Sequence, residues 1–377
     1  MTTETALTTA DLHLLAEAGG LAPSLHNSQP WRFRPTPDLL GLEVRAELSR
    51  AVPAADPAGR ALHISIGAAL FNLRVAAAHL GREAAVRLLP AGEGAQPCAV
   101  LDLSAPARTP LPFGADLYPA IAGRHSSRQP FTNRDVPEAL VAELISAGRD
   151  EGVTLTVLEE DGVRRVLALT SEAEARIAAD VTREAETRRW LRLEPSYDGI
   201  PLAALGSHDR DARVPMRGFD GHPPHHSTPA ERFEALPQLA TLTTHLDSRA
   251  EWLCTGQAME RVWLLATVRG LRASVLHQAV EIPDTRWRLR DPHEGPGHVQ
   301  LVLRLGYGPS GAASPRRRVE DVLDLGRELR RGDDLGGLLR GAALVGGGAR
   351  LGREGLAVVT DRDAEPALQE GEHDEGR

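Results

Sequence analysis

Two stretches of this chain carry side chains suited to a ligand with a flat end and an anionic end. The first is Ala22-Pro23-Ser24-Leu25-His26-Asn27-Ser28-Gln29-Pro30-Trp31, where Pro23 and Ser24 lead to the amides of Asn27 and Gln29. Amides donate and accept together, so they match the mixed edge of a planar heteroaromatic ring. The second is Arg124-His125-Ser126-Ser127-Arg128, in which Arg124, Ser126 and Arg128 alternate. In extended backbone alternate side chains face one way, so all three converge on one anion. Pro315-Arg316-Arg317-Arg318 offers more guanidiniums, which would close a phosphate from its other side. Each stretch also has a plainer reading: an Asx-turn over a core Trp31, a solvated basic loop, and a surface run of arginines. His26 and His277 stand near such positions, and a structural hydrogen bond is an equally good use for either. His222, His225 and His226 have no Asp, Glu or Cys at ligand spacing, and read as incidental rather than as a metal site.

Composition narrows the classes. The chain has 377 residues and a net charge of -9, which argues against a general nucleic-acid binder. Its 43 cationic residues are all Arg, so lysine Schiff-base chemistry and a P-loop lysine are excluded. Two cysteines, Cys98 and Cys254, make neither a disulfide framework nor a zinc site. No secretory signal is evident, and no apolar run suggests a membrane span, so a cytoplasmic protein without membrane partners is expected.

The elements that must position these residues recur. A helix capped by Thr8 or Thr9 runs to Gly19-Gly20, strands follow near 30–33 and 42–48, and an apolar helix spans 61–80. Strands over 84–103 and a Pro-rich connection at 104–116 complete a first half, residues 1–114. A second half, 115–330, repeats the order with helices over 118–123, 137–148 and 251–270, and strands near 153–158, 271–276 and 299–305. Arg60-Ala61, Gly67, Ala69, Ala77 and Gly81 match Arg249-Ala250, Gly256, Ala258, Ala266 and Gly270 at a constant offset of 189. An internal duplication is therefore expected, an α+β fold repeated so that one chain forms a pseudo-dimer. The second half carries an insertion at about 171–245, opened by a capping box of Ser171 and Glu174 and expected to form a lid. The tail, 331–377, is Gly-rich and then acidic, with no core pattern.

The quoted stretches, with Asp198-Gly199-Ile200-Pro201 and Gly306-Tyr307-Gly308, resemble the nitroreductase family of flavoenzymes. The likeness is to its tandem-repeat, Acg-like branch found in actinobacteria, and it covers roughly residues 8–325. It implies FMN as cofactor, with Arg124 and one of Arg316 or Arg317 on the phosphate and Ser126 on the ribityl or phosphate oxygens. Arg128 would lie at the N1/O2 edge of the flavin. Pro23, Ser24, His26, Asn27 and Gln29 would come from the other half to line the ribityl and ring, and His277 and Gln278 would sit on the N5 side. The implied activity passes hydride from NAD(P)H through one FMN to a nitroaromatic, quinone or similar acceptor. The alternative is a flavin-binding or flavin-storing stress protein whose lid closes the pocket. Met1 to Asp11 holds no Arg, and Arg149 to Gly152 holds no Pro-Ser-x-x-Asn loop. One site per chain is expected for that reason, in a monomer acting as a pseudo-dimer or in a loose homodimer.

Overall fold

The computed structural model describes residues 5–109, 111–219, 228–290 and 297–325, all within a compact unit that ends at Leu329. The tail expected from 331 lies outside the described residues. Helix α1 (Thr9–Gly20) opens with a capping box, Thr8 and Asp11 each accepting from the other's backbone N–H. Strands β1 (Trp31–Pro35) and β2 (Gly41–Ala46) lead into α2 (Arg60–His79), then β3 (Ala85–Leu88) and β4 (Ala99–Asp102). Helices α3 (Tyr118–Gly123) and α4 (Glu138–Asp150) precede β5 (Thr154–Val157). Helices α5 (Glu160–Ala178) and α6 (Val181–Trp190) follow before β6 (Gln238–Thr244), α7 (Arg249–Val268), β7 (Arg272–Val275) and β8 (His298–Gly306).

The four long-range strands on each side form one antiparallel sheet, ordered β1-β2-β4-β3 and β5-β6-β8-β7. The two orders coincide when each strand is matched to the one four places later. In each sheet an α-helix directly precedes the first strand, α1 or α4, and another joins the second strand to the third along the chain, α2 or α7. Those middle helices, α2 and α7, pack on each other at two glycines. A Cβ on Gly67 would stand 2.2 Å from the Leu253 carbonyl oxygen, and a Cβ on Gly256 would stand 2.0 Å from that of Ile64. Gly67 pairs with Gly256, and Ile64 with Leu253, at the same offset of 189, so the contact is reciprocal. One apolar core runs through both sheets and both helices, from Leu12 and Trp31 to Trp263 and Leu301.

Three sequence expectations change. Helix α2 has the length and hydropathy of a membrane span, contrary to the expectation, but it is largely buried inside this core. Ser171 does not open a helix. The apolar positions Val163, Val166, Leu169, Ala173 and Ile177 carry α5 straight through it, and this face packs a separate small core with Leu239 and Val280. The stretch expected as a lid insertion, about 171–245, thus includes the last turns of α5 and the strand β6, which lies between β5 and β8 in the sheet.

Candidate functional site

The loop after α1 holds an unusual backbone. His26, Asn27 and Gln29 all adopt left-handed φ, at 55°, 54° and 50°. Such positions cost about 1 kcal/mol or more each in residues with a side chain, so the surroundings must impose them. They do. Ser24 Oγ accepts from the Gln29 N–H at 2.9 Å. The Asn27 amide donates to the carbonyls of Gly199 and Pro315, both at 2.9 Å, and accepts from Arg316 Nη1 at 3.0 Å. Gln29 donates to the Tyr197 carbonyl and accepts from the Arg317 N–H, at 2.9 and 2.8 Å. Both amides thus bind the chain itself, tying the loop to the insertion and to the segment after β8.

The arm after α3 is placed by charge and close approach. Ser127 N–H donates to the Ala273 carbonyl at 2.9 Å, so the arm pairs with β7. Gly311 lets the last loop pass beneath it, since a Cβ there would meet the Ser126 carbonyl. Beyond, Arg304 is fully buried, donates to Glu234 at 2.5 and 2.6 Å, and lies 3.8 Å from the Phe131 ring centroid. It also donates to the Gln129 carbonyl at 3.1 Å, while Glu234 accepts from the Phe131 N–H at 2.9 Å. Sequence reasoning missed this pair. Arg304 alternates with apolar neighbours in β8 as a solvent-facing residue would, and only its contacts with Phe131 and Phe233 betray its burial.

Loop, arm and insertion enclose a cleft in two adjoining parts, which share Ser24, His26, Ser126 and Arg128. The inner chamber, of about 190 Å³, is floored by Ile64 of α2 with Met259 and Trp263 of α7. Residues 274–278 form its wall, and Met216, Arg217 and Phe219 of the insertion its roof. Among the described residues, His26 Nδ1, Ser274 Oγ and His277 Nε2 are buried atoms of this chamber with no hydrogen-bond partner. Burial pushes His26 down to about 3, helped by Arg217, and holds His277 well below its ordinary value. Both rings are neutral, so each keeps one donor and one acceptor nitrogen.

The outer part, of about 150 Å³, is cationic. Arg124 and Arg316 line it beside Ser126, which is exposed along the cleft. Arg124 is 3% exposed, stands 4.8 Å from the Trp263 ring centroid, and reaches Glu260 of α7 at 3.2 Å. Both guanidiniums donate to the Leu21 carbonyl, at 3.2 and 3.1 Å. Burial, and then Arg124, lower Arg316 to about 9, and its Nε has no partner among the described residues. Burial likewise lowers His125, so it adds little charge.

The structure sorts the expected residues. It brings Pro23, Ser24, His26, Asn27, Arg124, Ser126, Arg128, His277, Gln278 and Arg316 to the cleft. Gln29 and Arg317 are corrections. Gln29 is 0% exposed behind the loop, and Arg317 turns to Glu47 at 2.8 Å and to the carbonyls of Gln29 and Asp321. An RRR run fixes only that cations lie here; β8 and the tethered loop decide that Arg316 faces in. Arg128 donates to the insertion carbonyls of Leu205 and Arg217 at 2.7 and 2.5 Å and stacks 4.9 Å from Phe219. Gln278 donates to the Pro215 carbonyl at 3.0 Å. Arg217 and Arg183 both donate to the buried carboxylate of Glu281, at 2.6 and 3.0 Å. Glu281, Arg217 and Glu260 were not foreseen, since each reads as an ordinary helix or loop charge. No group of three or more metal-ligating side chains occurs among the described residues, and His222, His225 and His226 lie outside them.

No family model matches the chain. A protein of Mycobacterium tuberculosis named "Putative NAD(P)H nitroreductase" is 31% identical over 317 residues, 82% of this chain and 90% of its own length. Another from the same organism, "Putative NAD(P)H nitroreductase acg", is 26% identical over 328 residues, 85% of this chain and 97% of its own. Among solved structures, a nitroreductase with bound FMN from Bacteroides fragilis is 15% identical, at a TM-score of 0.32, and covers 54% of this chain and 94% of its own. A BluB-like flavoprotein from Clostridium difficile is 16% identical, at a TM-score of 0.36, and covers 57% of this chain and all of its own.

Proposed function

The chain belongs to the nitroreductase family, and from that premise we propose that its cleft binds one FMN and serves an NAD(P)H-dependent oxidoreductase. The observation carrying this reading is the pairing within one cleft of a two-guanidinium end and an apolar chamber with three unpartnered polar atoms. A phosphomonoester suits the first and a flat ring with mixed donors and acceptors suits the second. FMN, when bound, supplies the two-electron chemistry, and the side chains bind, orient and exclude water. Arg124 and Arg316 hold the phosphate, with Ser126 beside them. Trp263, Met259, Met216 and Phe219 keep the chamber dry. Arg128 fixes a positive charge where the two parts meet, and neutral His26 and His277 offer ring nitrogens without adding charge. Acceptors of the nitroaromatic or quinone type fit a chamber of this character.

In the same reading the chain is a duplicated fold acting as its own pseudo-dimer, with halves 1–114 and 115–330. Support comes from the matching strand orders and the reciprocal Gly67–Gly256 contact. The second half contributes the arm and wall, the first half the loop, and one site results. A second reading, a flavin-holding protein that does not turn over, is favoured by the roof. Arg128, Gln278 and Glu281 all fasten the insertion over the chamber. One experiment decides between them. The flavin-loaded protein is mixed anaerobically with NADPH or NADH, then with dithionite, while flavin absorbance is followed. Bleaching by the nicotinamide supports the oxidoreductase; bleaching by dithionite alone supports the holding role. Protein that retains no FMN overturns both.

A further inference from the structure

Glu260 belongs to no surface of the cleft, yet it stands behind the guanidinium that forms the cationic end. Its side chain is 0% exposed, and Arg124 Nε lies 3.2 Å from Oε1. Neither carboxyl oxygen has a well-formed hydrogen bond among the described residues. A buried carboxylate so weakly hydrogen-bonded is costly, and the attraction of Arg124 only partly offsets it. The groups facing it come from three elements: Arg124 after α3, Arg316 in the last loop, and Asn72 on α2.

We propose that Glu260 is the proton-linked partner of the anion site, gaining a proton from solvent when a phosphate dianion is placed against Arg124 and Arg316. The proposal rests on the FMN reading above. Without ligand, two guanidiniums face one carboxylate, a net of one positive charge. A dianion beside a charged Glu260 turns the buried cluster net negative, whereas a protonated Glu260 leaves it neutral. Neutral clusters are favoured where water is excluded. Burial already raises Glu260 to about 7, opposed by Arg124, Arg316 and Asn72, and a nearby dianion pushes it further the same way. Binding is then tightest at or below neutral pH and weakens as pH rises through and above 7, by at most about tenfold per unit for one proton.

The test is calorimetric titration of FMN into the full-length, flavin-free protein at pH 7.5–8.5, in two buffers of different ionisation heat. FMN is dianionic in that range, its second phosphate pKa being about 6. Uptake approaching one proton per FMN is expected, with none for riboflavin, which lacks the phosphate, and none for Glu260→Gln. FMN binding without uptake, or uptake that persists in Glu260→Gln, overturns the proposal while leaving the cofactor reading intact. Failure of FMN to bind removes the cofactor reading and this proposal together. Should Glu260→Gln not fold, the wild-type protein decides alone. The FMN affinity should fall relative to riboflavin as pH rises above 7, and a constant ratio refutes the idea.

Discussion

Along the paired helices α2 and α7, residues 189 positions apart face different surroundings. Trp263 floors the chamber, and its counterpart Arg74 donates to Glu151 and Gln257 at 2.5 and 2.9 Å. Arg261 joins the same Glu151 at 2.8 Å, and Phe113 lies 5.5 and 5.6 Å from the two guanidiniums. On one side polar atoms are left without partners around a cavity. On the other, Arg74 and Arg261 share Glu151 and Arg261 also reaches Asp150 at 2.5 Å, so two guanidiniums meet two carboxylates. The connections explain part of this. Residues 21–30 between α1 and β1 can wrap over the helices, whereas only residues 151–153 join α4 to β5. A ligand site needs both space and uncommitted polar atoms; Arg74 and Arg261 line a hollow of about 210 Å³, but among the described residues no buried polar atom lining it lacks a partner.

The largest test of this contrast is Arg304→Met. It strands Glu234 in a buried setting, which should cost about 3–5 kcal/mol and loosen the arm that carries Arg124 to Arg128. Arg261→Met on the opposite side leaves Glu151 with Arg74, so its loss should be nearer 1 kcal/mol. Denaturant melts with flavin content measured in parallel would check both. An Arg261→Met protein that loses more stability than Arg304→Met breaks the comparison.

Next is Arg124→Met against Arg74→Met. Loss of a charge-assisted contact to a phosphate is worth about 2–3 kcal/mol, so FMN affinity should fall on the order of 100-fold in the first variant. The second should keep full occupancy at one FMN per chain. Two FMN per wild-type chain, or flavin loss in Arg74→Met, would mean that the paired side also binds.

How far the sequence foretold this follows from what patterns record. Helix and strand order were legible because apolar period and glycine stops are local properties, and the offset of 189 survived in residues that touch the helix crossing. Arg124, Ser126, Asn27 and Arg316 were legible as types. Their directions were not. Gln29 turns inward because Tyr197 and the Arg317 N–H satisfy its amide, contacts made across 168 and 288 residues. Ser171 looked like a cap because Glu174 follows it, but the apolar face of α5 outweighs a local capping signal. Glu260 was invisible, as a charge on a helix is ordinarily solvated.

The proposed duplication is tested by Gly67→Ala and Gly256→Ala. Each methyl would collide with a backbone carbonyl of the partner helix, which cannot swing aside, so each should cost about 1–3 kcal/mol through a forced shift. Because the contact is reciprocal, the two losses in thermal stability should be similar. A large effect from one and none from the other would argue against an axis at this crossing.

The smallest expected effect concerns acid. His26 is held to about 3 in the folded protein against an ordinary 6.5, so the unfolded chain takes up the proton first. Its contribution is present above 6.5 and is lost as pH falls toward 3. His277 acts in the same direction, and Glu260 in the opposite one, since its raised value favours the folded state at low pH and loses that benefit between about 4.5 and 7. His26→Asn removes one of the acid-sensitive histidines, so stability should fall less steeply, by about 1 kcal/mol between pH 6.5 and 5.5. Measured by urea melts across that interval, an unchanged slope would show that His26 is not held neutral in the chamber. The acid sensitivity of the cleft side would then rest on His277 and not on His26.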